Sequence, residues 1–342
     1  MSIYEETFGS LPDGREILRF QIQNKNGIIV SILNYGGIIQ SILTPDRNGA
    51  KEDIVLGYDT AEEYVKDDCC FGATIGRVAN RIAGASLELA GNKYLLPANE
   101  GDATLHGGSG FHKKLWDYEV CEDVLILRYT SPDGEDGFPG TLKIEQTITL
   151  SDDNVLRLEY AAVSDRTTVC SLTGHSYFNL CGASLMNAEG TSSQAKTVAD
   201  HQLQIAAKEY TPTGDDLIPT GEICPVSGTP YDFLGARNVG NVPLDGNLVL
   251  SHGIKKWDGR LYDPASGRFL SVRTSLPGLQ VYNGTGITLR KGKGGIVYNP
   301  QTGLCLEPQF YPDAVHHPQF PQPVLQAGEE YRHYIEYRFG VV

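Results

Sequence analysis

Apolar and polar residues alternate with a period of two in several stretches of the chain. Leu142, Ile144, Ile148 and Leu150 interleave with Thr141, Lys143, Glu145, Thr147 and Thr149. Leu156, Leu158 and Tyr160 flank Arg157 and Glu159, and Tyr331, His333, Ile335, Tyr337 and Phe339 oppose Arg332, Tyr334, Glu336 and Arg338. Successive side chains of an extended chain point to opposite faces, so each run lays one face on a core and the other in water, as half-buried antiparallel strands do. Turn clusters punctuate the runs: Pro45 to Gly49, Ser131 to Gly134 and Asp263 to Gly267. One short helix is predicted near residues 59–65, capped by Asp59 or Thr60 with a glutamate three residues on. No stretch alternates strands with long amphipathic helices, which disfavours a doubly wound α/β fold. The pattern predicts an all-β chain: a large antiparallel β-sandwich with few short helices.

The chain has 342 residues, and length alone suggests about two domains. No low-complexity linker or visible repeat divides it, so a single domain over residues 1–342 is expected. Lys and Arg number 28 against 42 Asp and Glu, a formal charge of −14. That balance argues against nucleic acid or an anionic membrane as partner, since both require clustered positive charge. The longest basic run, Arg290-Lys291-Gly292-Lys293, reads as a solvated turn. No run approaches 18 apolar residues, and the first ten residues carry no secretory pattern. The seven cysteines are irregularly spaced without a C-x-x-C, so free thiols and a cytoplasmic location are expected.

Phosphate-loop, dinucleotide and H-E-x-x-H motifs are absent, and no cofactor or metal is expected. His316 and His317 are adjacent, and on a strand they would point apart. Asn283-Gly284-Thr285 matches a glycosylation sequon and is read as coincidence. What remains is a series of polar residues in short strings. Gly76-Arg77-Val78-Ala79-Asn80-Arg81-Ile82 is followed by Leu105-His106-Gly107-Gly108. In Gly174-His175-Ser176-Tyr177-Phe178-Asn179-Leu180, an extended chain would put His175, Tyr177 and Asn179 on one face. Then come Asp245-Gly246-Asn247, Thr274 to Tyr282 with Gln280 inside it, and Leu304-Cys305-Leu306-Glu307-Pro308-Gln309. Pro308 biases Glu307 toward an extended backbone, so Cys305, Glu307 and Gln309 should share a face.

These strings, in this order, resemble the aldose 1-epimerase (galactose mutarotase) family, and the resemblance runs from about Asn34-Tyr35-Gly36-Gly37 to Gly328 and Tyr331. It implies the family's supersandwich of antiparallel strands and the interconversion of α and β anomers of a free aldose such as galactose or glucose. In that reading Glu307 is the general base on the anomeric hydroxyl and His175 the general acid on the ring oxygen. His106 is the second active-site histidine, and Asn80, Arg81, Tyr177, Asp245 and Gln280 line the sugar site. The reaction moves only protons, which suits a chain without cofactor motifs. Reference pKa values of about 4.3 and 6.5 would allow an anionic Glu beside a partly protonated His near neutrality. The chain departs from the family pattern at Gly174, Gly246, Pro308 and His316, and the two glycines are expected to enlarge or loosen the site.

Taken singly, these residues have plainer readings. Glu307 would be salt-bridged, the histidines structural, Arg77 and Arg81 paired to acids, and Asp245 a turn residue. His112, His201, His252 and His333 stand outside any string and are assigned no chemistry. Three other functions remain open: a glycoside hydrolase with Asp245 as second carboxylate, a sugar-phosphate epimerase with a basic pocket, and a sugar-binding protein without activity. The partner in each case is a small sugar, and the oligomeric state, monomer or homodimer, is not readable.

Overall fold

The computed structural model describes residues 3–182, 195–251 and 257–342, so His252 lies outside the described residues. Strands dominate, and the three largest sheets are antiparallel throughout. A nine-stranded sheet is built around Leu142–Leu150, Val155–Ser164, Glu330–Val341 and Arg268–Thr274, adjacent in that order. The alternation read from the sequence survives in the first three. Leu142, Ile144, Ile148, Leu150, Leu156, Leu158 and Tyr160 are buried, and the charged residues between them face outward. The C-terminal strand lies between Val155–Ser164 and Arg268–Thr274, joining the two halves of the sheet.

A six-stranded sheet runs in the order Tyr177–Phe178, Leu304–Gln309, Gly278–Tyr282, Asp245–Val249, Glu209–Thr211, Cys224–Pro225. A five-stranded sheet is formed by the N-terminal residues Ile3–Ser10 through Lys51–Asp53. One apolar cluster takes Phe20, Val30 and Ile42 from the five-stranded sheet, Leu127, Leu158 and Tyr337 from the nine-stranded one, and Leu248, Leu279 and Leu306 from the six-stranded one. Burial of such side chains is worth about 1.5–3 kcal/mol each, and it joins the sheets through a shared interior.

The predicted helix is Ala61–Lys66. Thr60 caps it, accepting from the Glu63 N–H while Glu63 reaches back to the Thr60 N–H, a complete capping box. Two local expectations change, and two others hold. Arg290–Lys293 is no solvated turn: Lys293 is buried against Asp53 at 2.5 Å, and Arg290 pairs with Asp68 at 2.6 Å. His316 and His317 sit at a 3-10 turn, not a strand, and both approach Asp313. Asn283 is fully buried, donating to Val242 O and accepting from the Leu244 N–H, so the sequon is inaccessible in the folded chain. All seven cysteines are unpaired, as expected. Among the described residues no helix is long and apolar enough to cross a membrane.

Candidate active site

The strand Leu304–Gln309 is buried over its whole length, and alternation divides its side chains. Leu304 and Leu306 enter the common core, while Cys305 and Glu307 face the other side of the sheet. Tyr177 pairs with Cys305, and Gln280 stands opposite Glu307. His175, two residues before Tyr177, stacks its ring on the tyrosine at 5.0 Å. The result is a contact between residues 132 positions apart in the chain: His175 Nε2 lies 3.6 Å from Glu307 Oε2. Cys305 Sγ lies 3.5 Å from the other ring nitrogen, Nδ1.

The strings at 76–82 and 105–108 turn out to be one unit. Thr104 and Leu105 pair with Ile82 and Arg81. The His106 N–H donates to Asn80 O, and the Asn80 N–H donates to His106 Nδ1 at 3.2 Å. That bond leaves Nε2 as the protonated nitrogen of a neutral His106. Asn80 (φ 64°) and His106 (φ 54°) both occupy the left-handed region, an unfavourable conformation that the reciprocal bonds hold in place. Gly107 must be glycine because a Cβ there would lie 2.5 Å from the backbone of Gly76 and Arg77. The rings of His106 and His175 meet edge-on at 5.1 Å.

Arg81 donates to both oxygens of Glu100, at 2.5 and 3.0 Å, and its Nη1 lies 3.7 Å from Asp245 Oδ2. Gln280 Nε2 donates to Asp245 Oδ1 at 2.6 Å. These residues surround a cavity of about 320 Å³, within the size range of small-ligand sites. Its wall includes Asn80, Arg81, His106, His175, Tyr177, Asp245 and Glu307. Roomier hollows lie on the outer face of the nine-stranded sheet, beside Trp257 and Arg338, away from the buried acid and histidines.

Burial sets the electrostatics. It pulls the His175 imidazole down to about 4. It pushes the Glu307 carboxyl well above the usual carboxylate range; Asp245 adds to that and Arg81 opposes it. His106 is held well below its ordinary value by burial and by His175. The expectation of an anionic Glu beside a partly protonated His is therefore corrected, because desolvation penalises both charges. Asp245 is raised as well, by burial, with Arg81 and Gln280 pulling back.

The family model described as "Aldose 1-epimerase" matches residues 19–338. The galactose mutarotase of Mus musculus is 40% identical, over 100% of this chain and 99% of its own length. The chain belongs to the aldose 1-epimerase family. The aldose 1-epimerase of Haemophilus influenzae is 33% identical over 98% of this chain and 99% of its own. A solved GalM/aldose epimerase homologue from C. elegans superposes with a TM-score of 0.86 at 32% identity, covering 94% of this chain and 98% of that one. The chain is thus an epimerase built on the galactose mutarotase fold.

Seven of the eight site residues named from the sequence line the epimerase's cavity. The eighth, Gln280, stands behind the wall and holds Asp245. Asn179 does not join its face: its amide donates to Lys196 O and Thr302 O, tying loops together. Arg77 is buried and forms no ion pair among the described residues; its guanidinium donates to Pro139 O, Gly140 O, Thr168 and Ser131. The expectation that glycines loosen the site is also corrected. Tyr231 fills the space over Gly246, where a Cβ would lie 2.4 Å from its ring, and neither Gly246 nor Gly174 reaches the cavity.

Sequence reasoning missed Glu100, Asp68, Cys69, Cys70, Tyr282 and Leu217, which also line the cavity. Tyr282 ends the string at 274–282 without being singled out there; the other five sit in no string, and only the fold brings them to the cavity. His175, Cys305 and Glu307 are close enough together to suggest a metal. Yet Cys305 faces Nδ1 and Glu307 faces Nε2, on different edges of one ring, so no single ion on either nitrogen fits both as they stand. At Cys181, His201 and Asp263, the Leu180 N–H donates to His201 Nε2, which places the neutral ring's proton on Nδ1 and makes that nitrogen a donor, not a ligand.

Proposed function

We propose that this epimerase interconverts the α and β anomers of free aldohexoses such as galactose or glucose, with Glu307 as base and His175 as acid. The observation that carries the reading is the buried His175–Glu307 pair, 3.6 Å apart on the wall of a sugar-sized cavity. The anomeric hydroxyl and the ring oxygen are bonded to the same carbon, so two groups this close can reach both. Glu307 takes the hydroxyl proton and His175 gives one to the ring oxygen. The ring opens to the aldehyde, the first carbon–carbon bond rotates, and the same protons return as the ring closes on the other face. No proton is gained or lost over the cycle.

The burial that disfavours both charges favours this transfer. A carboxylate with a raised pKa is a stronger base, and an imidazolium with a lowered pKa is a stronger acid. Their proton inventory after ring opening, Glu neutral and His neutral, is the one the cavity favours. His106, fixed as an Nε2–H donor, is placed to hold an oxygen without itself ionising. Asn80, Arg81, Tyr177 and Asp245 offer donors and acceptors that read hydroxyl orientation, and Gln280 acts through Asp245.

The charge around the cavity favours a free sugar over a sugar phosphate. Asp68, Glu100, Asp245 and Glu307 face it, and Arg81 already carries Glu100 on its fork. Retention of both Glu307 and His175 favours catalysis over binding alone. The same chain is read as one domain, since the common core draws from Phe20 to Phe339. Polarimetry of freshly dissolved α-galactose and α-glucose tests the function: equilibration accelerates with the wild type and falls back toward the spontaneous rate with Glu307→Gln. Full activity in that variant, or none in the wild type, overturns it.

A further inference from the structure

Beside Glu307 the six-stranded sheet carries polar groups that no sugar contact explains. Asn247, Gln280 and Glu307 stand side by side on three neighbouring strands, each directly opposite the next. Gln309 follows Glu307 two residues along its strand and faces Gly278. Alternation sends these four side chains to one face, while Leu248, Leu279, Val281 and Leu306 enter the apolar core on the other. All four are between 0% and 3% exposed.

Their hydrogen bonding within the protein is incomplete. Asn247 Nδ2 donates to Thr211 Oγ1, and Gln280 Nε2 donates to Asp245. Asn247 Oδ1, Gln280 Oε1, Glu307 Oε2 and both polar atoms of Gln309 meet no protein partner. The Gln280 amide cannot be turned over to help, because the Asp245 carboxylate requires its N–H. With Glu307 ionised, as a base must be, three of the five orphans are acceptors on adjacent residues and cannot satisfy one another. Water can, since it carries two donors, and buried polar atoms that lack protein partners are characteristically bridged by ordered water. Gly278 helps to shape the recess: a Cβ there would lie 2.3 Å from Asn247 Oδ1.

We propose that Asn247, Gln280 and Gln309 hold a cluster of buried water molecules against the Glu307 carboxylate, and that Gln309 is, through this water, a positioning residue for the base. The inference rests on the reading of Glu307 as base. Facing Glu307 are His175, Asp245 and Arg81, with the thiols of Cys70 and Cys305 and the Tyr337 phenol near by. None of them donates a hydrogen bond to Oε2 in the structure. A water anchored by Gln309 supplies that donor and makes the anionic base attainable in a buried site.

Two measurements test this. A high-resolution crystal structure of the wild type should show ordered water within hydrogen-bond reach of Gln309 and of at least one of Asn247 Oδ1, Gln280 Oε1 and Glu307 Oε2. A recess closed by apolar atoms, or one empty of density, overturns the proposal. In the pH profile of kcat/KM, Gln309→Leu should move the limb set by Glu307 ionisation upward by about one unit, with KM unchanged. Gln309→Asn, which keeps an amide, should restore most of the shift. An unmoved limb in a folded Gln309→Leu enzyme overturns the role of Gln309, and if that variant does not fold, the wild-type crystal decides. Full activity in Glu307→Gln would instead defeat the assignment of the base, a distinct outcome.

Discussion

Glu307 Oε2 faces His175 Nε2 across 3.6 Å, with the two side chains 3% and 6% exposed. Interior placement drives their proton affinities in opposite directions, the acid upward and the imidazole down to about 4. Exchange of one proton between them leaves the total unchanged, which suits a reaction that returns every proton it moves.

Glu307→Gln should lower kcat by about 10²–10⁴, the usual contribution of a positioned acid–base group. It should also make the protein more stable at alkaline pH. A carboxyl whose folded pKa is raised contributes stability at low pH that is lost as pH rises through the folded value, and glutamine does not incur that loss. Thermal melts of wild type and variant should therefore diverge as pH is raised. A variant less stable than wild type at about pH 8 would contradict the assigned burial effect.

Acid should destabilise the wild type in a defined window. His112, His175 and His201 are each depressed by burial to about 4. A depressed imidazole contributes stability above its unfolded pKa of about 6.5 that is lost as pH falls toward the folded value. Each is worth on the order of 3 kcal/mol over the full window. Urea midpoints should fall steadily between about pH 6.5 and 4, and a flat profile would remove the argument.

The two active-site histidines should respond differently to replacement. In the proposed mechanism His106 needs only an N–H directed at the sugar, so His106→Gln should retain far more activity than His106→Ala. In the same mechanism His175 gains and loses a proton, so His175→Gln should cost about 10²–10⁴ in kcat. Single-turnover NMR of anomer exchange separates them, and equal losses for His106→Gln and His175→Gln would show that both histidines titrate.

Glu100 holds the Arg81 fork against the cavity wall from a side chain that is 41% exposed. Glu100→Gln should raise KM for galactose about three- to tenfold, the scale of a lost partly exposed ion pair worth ~1 kcal/mol, with little change in kcat. A lower KM would mean that Glu100 competes with the sugar for Arg81.

Gly246→Ala should destabilise by about 1–3 kcal/mol, because the new methyl meets the Tyr231 ring at 2.4 Å. Gly174→Ala meets Leu158 and Tyr160 at 3.7 and 3.8 Å, ordinary contact, and should be neutral or slightly stabilising. Differential scanning calorimetry of the pair distinguishes a filled position from a tolerant one.

Much of the fold was legible in the chain because alternation is a local signal. Strands 142–150, 155–164 and 330–341 follow directly from residues that alternate in polarity, and Thr60 with Glu63 marks the helix start within four residues. The strings also named the groups at the cavity, because a buried strand such as Leu304–Gln309 packs its leucines on one face and turns Glu307 to the other. Where local reasoning failed, the cause was a partner far away. Lys293 looked solvated until Asp53 met it, Gly246 looked like added space until Tyr231 filled it, and Asn179 was drawn off its face by Lys196 and Thr302.

The sequence by itself determined the strands, their buried faces, and a set of acids, amides and histidines of the kind a sugar epimerase needs. Only the tertiary structure decided which atoms meet: Glu307 with His175, Asn80 with His106, Arg81 with Glu100 in place of a free sugar contact. It alone decided their charge states. A side chain's reference pKa belongs to water, whereas the proton affinity of a buried group depends on the residues that exclude water from it. Those residues come from the six-stranded sheet, the short pair at 81–82 and 104–105, and the loops beside them, which meet only when the chain is folded.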